Sequence, residues 1–382
     1  MKEHVNISQI TETIAGLIED HFLICNAHGE ILFCNPSMAS HLGYKESELT
    51  SKNFLAFIEK THSEKAASFF NHATKEPSGW EGFLMVGKKG LKKLHLKFLT
   101  KDSLTYIYGN EKYVEYEKIR RKLDREVTSA KKIHQQSLPV TLPNTESLSF
   151  SALYRPAEVI GGDLYDVFKV DNGLLGEYFN QYVAYIADVS GHGLDSAMLS
   201  IFVKDTIRSF FSLKHIPGQV LSPKEIVHFL VEQYLKEGYP EEYLVCLFLV
   251  VFDLNAKDLT YCSAGFHESP FLIKDHNHLL ELDRGGMPIS AAIDAKWLTY
   301  QDTSVKLIPG MTLFLMSDGL PEQRSGKEFY RERFKTLATK LHSLNPKQIT
   351  DKINLDFTDF LHHQDVEDDI TLVVAKVSDL QE

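Results

Sequence analysis

Four acidic turns carry the residue types best suited to chemistry. They are Gly161-Gly162-Asp163, the stretch Ala187-Asp188-Val189-Ser190-Gly191-His192-Gly193, Ser317-Asp318-Gly319 and Asp368-Asp369-Ile370-Thr371, each at the end of an apolar run and far from the others in sequence. A single Asp before a glycine is ordinarily a turn or cap residue. Four on strand-like ends form a candidate constellation, because convergence of those ends would build an all-oxygen site. Hard carboxylate ligands suit Mg²⁺ or Mn²⁺ and not zinc. Carboxylates crowded without a cation repel and shift one another's ionisation, so such a cluster implies cations. The two glycines before Asp163 would let backbone come close to an ion.

These acids need elements to hold them. Asp163 to Val170, Tyr182 to Ala187, Leu244 to Phe252, Leu259 to Ser263, Phe271 to Lys274, Thr312 to Met316 and Ile370 to Val377 read as strands. Many are apolar at nearly every position, which predicts sheets covered on both faces. Ser222-Pro223-Lys224-Glu225 is a capping box opening a helix that stops at Gly238, and Asn345-Pro346 opens another. Ser196 to Phe211 makes a third. Strands and helices in this order predict two packed sheets flanked by helices.

Upstream the pattern changes. A short amphipathic segment around Ile10 to Ile18 precedes two strands, Phe22 to Cys25 and Ile31 to Cys34, joined by a Gly-containing turn. Asn35-Pro36 caps a short helix stopped at Gly43, and Trp80 to Val86, Leu91 to Leu99 and Leu104 to Tyr108 read as three further strands. Glu111 to Gln136 lacks Gly and Pro and spaces Tyr116, Ile119, Leu123, Val127, Ala130 and Ile133 as a helix. Its apolar stripe drifts across the helix face, which argues against a permanent coiled coil. Leu138-Pro139 and Leu142-Pro143 end it.

With 382 residues, two domains are expected. A formal net charge of -11 argues against a nucleic-acid or anionic-membrane surface. The longest apolar run, Leu244 to Phe252, is well short of the ~18 to 20 residues that span a bilayer, and the polar N-terminus lacks a secretory apolar region. A cytoplasmic protein is the expectation, with no membrane and no nucleic-acid partner. Cys25, Cys34, Cys246 and Cys262 lie in apolar runs without zinc or redox spacing and read as reduced core residues.

Two resemblances sharpen this reading. The run "FLICNAHGEILFCNPSMASHLGYKESEL" resembles a PAS sensor domain over about residues 8 to 110. Haem and flavin signatures are not evident in it, and His21, His41, His62, His72 and His95 are scattered, so neither chromophore is expected. The segments "IHQQSLP", "YRPAEVIGGDLYDVF", "IADVSGHGLDSAMLS", "LTYCSAGFHESPFLI", "LFLMSDGLPEQ" and "DDITLVVAKV", over about residues 130 to 378, are similar to the stage II sporulation E branch of PPM (type 2C) serine phosphatases. Together they resemble energy-stress phosphatases of sigma-factor regulation. The implied fold is α+β: a PAS-like antiparallel sheet over 1–112, a helical linker over 113–138, and an α-β-β-α sandwich over 139–382.

The resemblance implies a site and a substrate. Asp188 would bridge two Mn²⁺ or Mg²⁺ ions with help from the Val189 carbonyl, while Asp163, Asp318 and Asp368 complete the shells. Asp369 is the second choice of ligand in its motif, and Asp166 is weaker still. Hydrolysis of a phosphate monoester is too slow for acid–base help alone, so a water bridging the ions would attack in line. His192 is the candidate proton donor to the leaving serine, against a turn-stabilising role. Ala264-Gly265-Phe266-His267 departs from the commoner Ala-Gly-His, and no arginine stands where eukaryotic relatives hold phosphate. The implied substrate is phosphoserine or phosphothreonine on a small anti-sigma-factor antagonist. A homodimer through the PAS region and linker is expected, with an activator protein or small ligand acting at the PAS region. A PAS-linked nucleotide cyclase and an inactive partner-binding scaffold are the competing classes. Leu164-Tyr165 after the Gly-Gly-Asp turn disfavours the first, and retention of four acids disfavours the second.

Overall fold

Asn26 closes the first hairpin by accepting, through Oδ1, from the N–H groups of His28 and Glu30 at 2.9 and 3.0 Å, with Gly29 at φ +76°. This is the Asx-turn chemistry expected of Asn before a glycine. It joins β1 (His21–Asn26) to β2 (Ile31–Cys34). Asn35 then caps α1 (Pro36–Leu42), its Oδ1 accepting from Met38 N, and Gly43 ends the helix in the left-handed region at φ +78°. After α2 (Glu46–Leu49) and α3 (Ser63–Ser68), the strands β3 (Glu81–Gly87), β4 (Gly90–Lys101) and β5 (Leu104–Asn110) complete an antiparallel sheet of order β2-β1-β5-β4-β3. Alternate residues of these strands, among them Leu23, Phe83, Met85, Leu94, Phe98 and Ile107, bury one face against the helices. Helix α4 (Tyr113–Ser137) follows.

The computed structural model describes residues 20–70, 76–173, 179–191, 193–275 and 278–378. The amphipathic segment around Ile10 to Ile18 lies outside them. The chain divides into two compact units, residues 1–124 and 125–382, and α4 runs through the division.

The second unit is a four-layer sandwich. Its strands in chain order are β6 (Leu148–Arg155), β7 (Leu164–Lys169), β8 (Gln181–Val189), β9 (Val245–Asp253), β10 (Asp258–Ala264), β11 (Phe271–Asp275), β12 (His278–Glu281), β13 (Thr303–Lys306), β14 (Thr312–Met316), the short pair β15 (Arg324–Ser325) and β16 (Glu328–Phe329), and β17 (Ile370–Val377). Helices α5 (Leu194–Leu213) and α6 (Pro223–Glu237) lie between β8 and β9, while α7 (Gly319–Glu322), α8 (Arg331–Leu341) and α9 (Pro346–Leu361) lie between β14 and β17. One sheet runs β13-β10-β9-β8-β7 and the other β12-β11-β14-β17-β6, with every neighbouring pair antiparallel.

The period-2 alternation of β8 shows how the layers form. Val183, Tyr185, Ala187 and Val189 pack with residues of α5 and α6, whereas Tyr182, Ala184 and Ile186 pack between the sheets with Phe150, Phe248, Leu315 and Val373. A third cluster joins Phe314, Met316 and Leu372 to Phe334, Ile353 and Phe357 of α8 and α9. Continuous apolar runs therefore meant burial on both faces, as the strand pattern implied. Strand β6 and helix α8 were not legible beforehand. β6 is an edge strand broken by serines, and α8 buries only Phe334 and Ala338 among charged residues. All four cysteines are free and buried.

Candidate metal centre

Antiparallel pairing brings the acidic turns to one end of the sandwich. Leu164 of β7 pairs with Ala187 of β8, so the start of one strand, where Asp163 sits, lies beside the end of the other, where Asp188 sits. In the opposite sheet Met316 pairs with Leu372, which sets Asp318 beside Asp368 and Asp369 in the same way. By strand alternation Asp188 follows Tyr182, Ala184 and Ile186 on the face turned toward the other sheet. Asp163 likewise shares the face of Tyr165 and Val167.

Hydrogen bonds hold these ends together. Thr371 Oγ1 donates to Asp163 Oδ2 at 2.6 Å. Asp369 faces the loop before β7: its Oδ1 accepts from Ala157 N at 2.8 Å, and its Oδ2 from Gly162 N at 2.6 Å and Asp163 N at 3.3 Å. Three glycines permit close approaches here. A Cβ at Gly161 would stand 2.3 Å from Asp369 Oδ2, one at Gly162 would stand 2.6 Å from the Val189 carbonyl oxygen, and one at Gly319 would stand 2.2 Å from the Asp369 carbonyl oxygen. Gly161 and Gly162 thus serve close backbone approach, with the near neighbours being protein atoms. Asp368 caps the turn by accepting from Asp369 N at 2.7 Å and is exposed.

The electrostatics are those of an uncompensated acid cluster. Asp163 is 2% exposed, and burial with the charge of Asp188 holds its pKa well above the ordinary carboxylate range, against hydrogen bonds from Ser317 and Thr371. Burial and the neighbouring Asp318, Asp368 and Asp369 push Asp188 up to about 8. Among the described residues, the cation-forming side chain brought against these acids is His267, whose Nδ1 lies 3.1 Å from Asp318 Oδ2 and 4.0 Å from Asp188 Oδ2. Buried carboxylates without matching positive charge are costly, and cations repay that cost. The donor set is oxygen-rich with one imidazole at its edge, which fits Mg²⁺ or Mn²⁺.

Of the residues singled out in the sequence, Asp163, Asp188, Asp318 and Asp368 come to one place, with the Val189 carbonyl over Gly162. Asp369 reaches the same place with both oxygens engaged by backbone N–H groups. Asp166 does not point there: it is fully buried toward α5, paired with Arg208 Nε at 2.7 Å, and Arg208 lies over the Phe168 ring at 3.6 Å. His192 lies outside the described residues. His267 is the residue sequence reasoning did not place at the site. Its signal was the extra Phe266: that side chain turns into the inter-sheet core, Gly265 adopts φ +65° against Pro288, and the next residue emerges at the acids.

Residues 180–378, just over half of the chain, match the family described as Stage II sporulation protein E (SpoIIE), and residues 9–86 match the PAS fold. The chain is 26% identical over 298 residues to Protein IcfG of Synechocystis sp., which covers 72% of this chain and 45% of that protein. It is 25% identical over 199 residues to Phosphoserine phosphatase RsbP of Bacillus subtilis, covering 51% of this chain and 45% of that one. The chain thus spans less than half the length of these relatives. Among solved structures, the SiaA-PP2C domain of Pseudomonas aeruginosa superposes with a TM-score of 0.56 at 18% identity, covering 68% of this chain and 99% of that one. The RsbU and RsbW domains of a Mycobacterium tuberculosis protein superpose with a TM-score of 0.51 at 20% identity, covering 65% of this chain and 64% of that one. At these identities the likeness is one of fold.

Proposed function

The chain belongs to the stage II sporulation protein E family of PPM-type phosphatases and carries an N-terminal PAS fold; on that premise we propose that it is a metal-dependent protein serine/threonine phosphatase. The observation that carries this reading is the convergence of Asp163, Asp188, Asp318 and Asp368 from two sheets onto one cation-poor spot. Asp163, Asp188, Asp318 and Asp368, with the Val189 carbonyl, are the groups that would hold the ions. Two divalent cations there would acidify water and offset charge on the phosphoryl oxygens. Thr371 fixes the Asp163 carboxylate, and the Asp369 carboxylate holds the loop that presents it. We assign His267, whose Nδ1 lies 3.1 Å from Asp318 Oδ2, the role of proton donor toward the site.

A cleft of about 260 Å³ opens beside Asp318 and Asp368, lined also by Glu322, Gln323, Arg324 and Phe329. Arg324 lies over the Phe329 ring at 4.8 Å, an exposed guanidinium on a short hairpin next to the acids. We assign it the approach of the phosphoryl group. The substrate we propose is phosphoserine or phosphothreonine on a small protein of the anti-sigma-factor antagonist type; the name of the RsbP relative, a phosphoserine phosphatase, supports the phosphoserine part of it.

We propose domain limits of 1–112, 113–138 and 139–382, with the PAS region acting through α4. Within the second unit the last turn of α4 lies against α5: His134 Nε2 is 3.2 Å from Ser200 Oγ, and Lys204 donates to the Ser137 carbonyl. Helix α5 begins five residues after Val189, so its position bears on Asp188. Tyr116, Ile119, Leu123 and Ile133 of α4 are about 60% exposed, which supports pairing of two chains there. Among the described residues no helix is long and apolar enough to cross a membrane.

The test is phosphate release from a phosphorylated antagonist with Mn²⁺. Activity is expected to vanish in Asp188→Asn and in excess chelator. Full activity in either refutes the metal mechanism.

A further inference from the structure

Two histidines and a carboxylate from three segments of the first unit meet at one point. His21 opens β1, His41 stands in the last turn of α1, and Glu111 lies between the end of β5 and the start of α4. His21 Nε2 and His41 Nδ1 lie 3.0 and 2.6 Å from the same Glu111 oxygen, Oε1. The three atoms all fall within 4.8 Å of one another. The histidine side chains are 10% and 7% exposed and that of Glu111 is 52% exposed, so the nitrogen donors are dry while the carboxylate opens to solvent.

We propose that His21, His41 and Glu111 form a binding site for a borderline divalent cation of the Zn²⁺ class, with solvent in the fourth position. Two imidazoles and one carboxylate with an open position are a zinc donor set, and Mg²⁺ or Ca²⁺ would call for more oxygen. Tetrahedral ligation at about 2.0–2.1 Å sets ligand atoms about 3.3 Å apart, so the two nitrogen–oxygen spacings of 3.0 and 2.6 Å need to open by less than about 1 Å. Ser37 Oγ stands 3.0 Å from His21 Nδ1 and can accept a hydrogen bond from Nδ1–H, which leaves the Nε2 lone pair for the ion. A bound ion would tie Glu111, at the joint between sheet and α4, to both β1 and α1. The chain would then carry two sites of opposite preference: carboxylates for Mn²⁺ or Mg²⁺ in one unit, imidazoles for Zn²⁺ in the other.

The experiment titrates the metal-stripped full chain with Zn²⁺ against a chromogenic chelator, and separately with Co²⁺ while recording its visible bands. Parent, Glu111→Gln, His41→Gln and Asp188→Asn proteins are compared. The parent is expected to show a site with the intense visible absorption of four-coordinate Co²⁺. Zn²⁺ affinity at that site should fall about 100-fold or more in His41→Gln and at least about 10-fold in Glu111→Gln, and persist in Asp188→Asn. Glu111→Gln keeps shape at a half-exposed position, so its loss of binding is readable even if His41→Gln is unstable; a melting curve without metal checks both. Absence of micromolar Zn²⁺ binding by the parent overturns the proposal. So does equal binding in parent and Glu111→Gln, or loss of the site in Asp188→Asn alone.

Discussion

Replacement of Asp369 separates two roles that one carboxylate could play at the acidic centre. Its oxygens accept from Ala157 N at 2.8 Å and Gly162 N at 2.6 Å, with a longer share from Asp163 N, and the residue is 8% exposed. A hydrogen bond to a charged acceptor contributes about 1.5–3 kcal/mol, so two strong ones amount to about 3–6 kcal/mol. Repulsion works against that sum, because Asp369 raises the pKa of both Asp163 and Asp188. Removing the charge returns part of the loss, which leaves a net destabilisation of about 2–4 kcal/mol for Asp369→Ala. Asp369→Asn keeps one acceptor and turns an N–H toward a donor, so about 1–2 kcal/mol is expected. The assay is urea unfolding of the metal-free protein, followed by Mn²⁺ titration of the folded variants. A loop anchor predicts that stability falls in both variants and that the Asn variant still binds Mn²⁺. If metal-free Asp369→Ala is as stable as the parent or more so, while Mn²⁺ binding is lost, Asp369 is a ligand and the anchoring argument is wrong.

Further outcomes follow from the same geometry. Asp188 ionises near pH 4 in an unfolded chain and at about 8 in the metal-free fold, so the native state holds a proton that the unfolded state releases. Stability of the metal-free protein should therefore fall as pH rises from 4 to 8, more steeply in the parent than in Asp188→Asn. Saturating Mg²⁺ should flatten the difference, and a flat metal-free profile by chemical denaturation would contradict the raised pKa. Gly319→Ala drives a Cβ to 2.2 Å from the Asp369 carbonyl oxygen and is expected to cost about 1–3 kcal/mol or more, whereas Gly285→Ala, whose nearest atom is 3.6 Å away, should leave the melting temperature nearly unchanged. Arg324→Ala should raise KM for a phosphoprotein with kcat largely spared if the exposed guanidinium guides the phosphoryl group. An effect confined to kcat would place Arg324 in the transition state instead.

Much of the architecture could be read locally. Apolar runs such as Tyr182 to Ala187 announced strands covered on both faces, because a strand apolar at successive positions has no side left for water. The capping-box string at Ser222 and the Asn345-Pro346 pair announced helices by the same local logic; both N-caps are formed, and the reciprocal box is the one at Asn345. The four acidic turns were legible because short Gly-Asp strings at strand ends are local features. Edge strand β6 was not, since its serines blur the alternation and its partner β17 lies more than two hundred residues away.

What sequence determined by itself was therefore the inventory: element types, caps, and which turns carry charge. Tertiary structure decided the company each side chain keeps. Asp369 meets Gly162 across 207 residues, His267 meets Asp318 because Phe266 is drawn into the core, and His21 meets Glu111 across 90 residues. Periodicity and turn chemistry act over a few residues and leave a mark in any short window. The register between distant strands is set by the packing of two whole sheets, and no short window contains it.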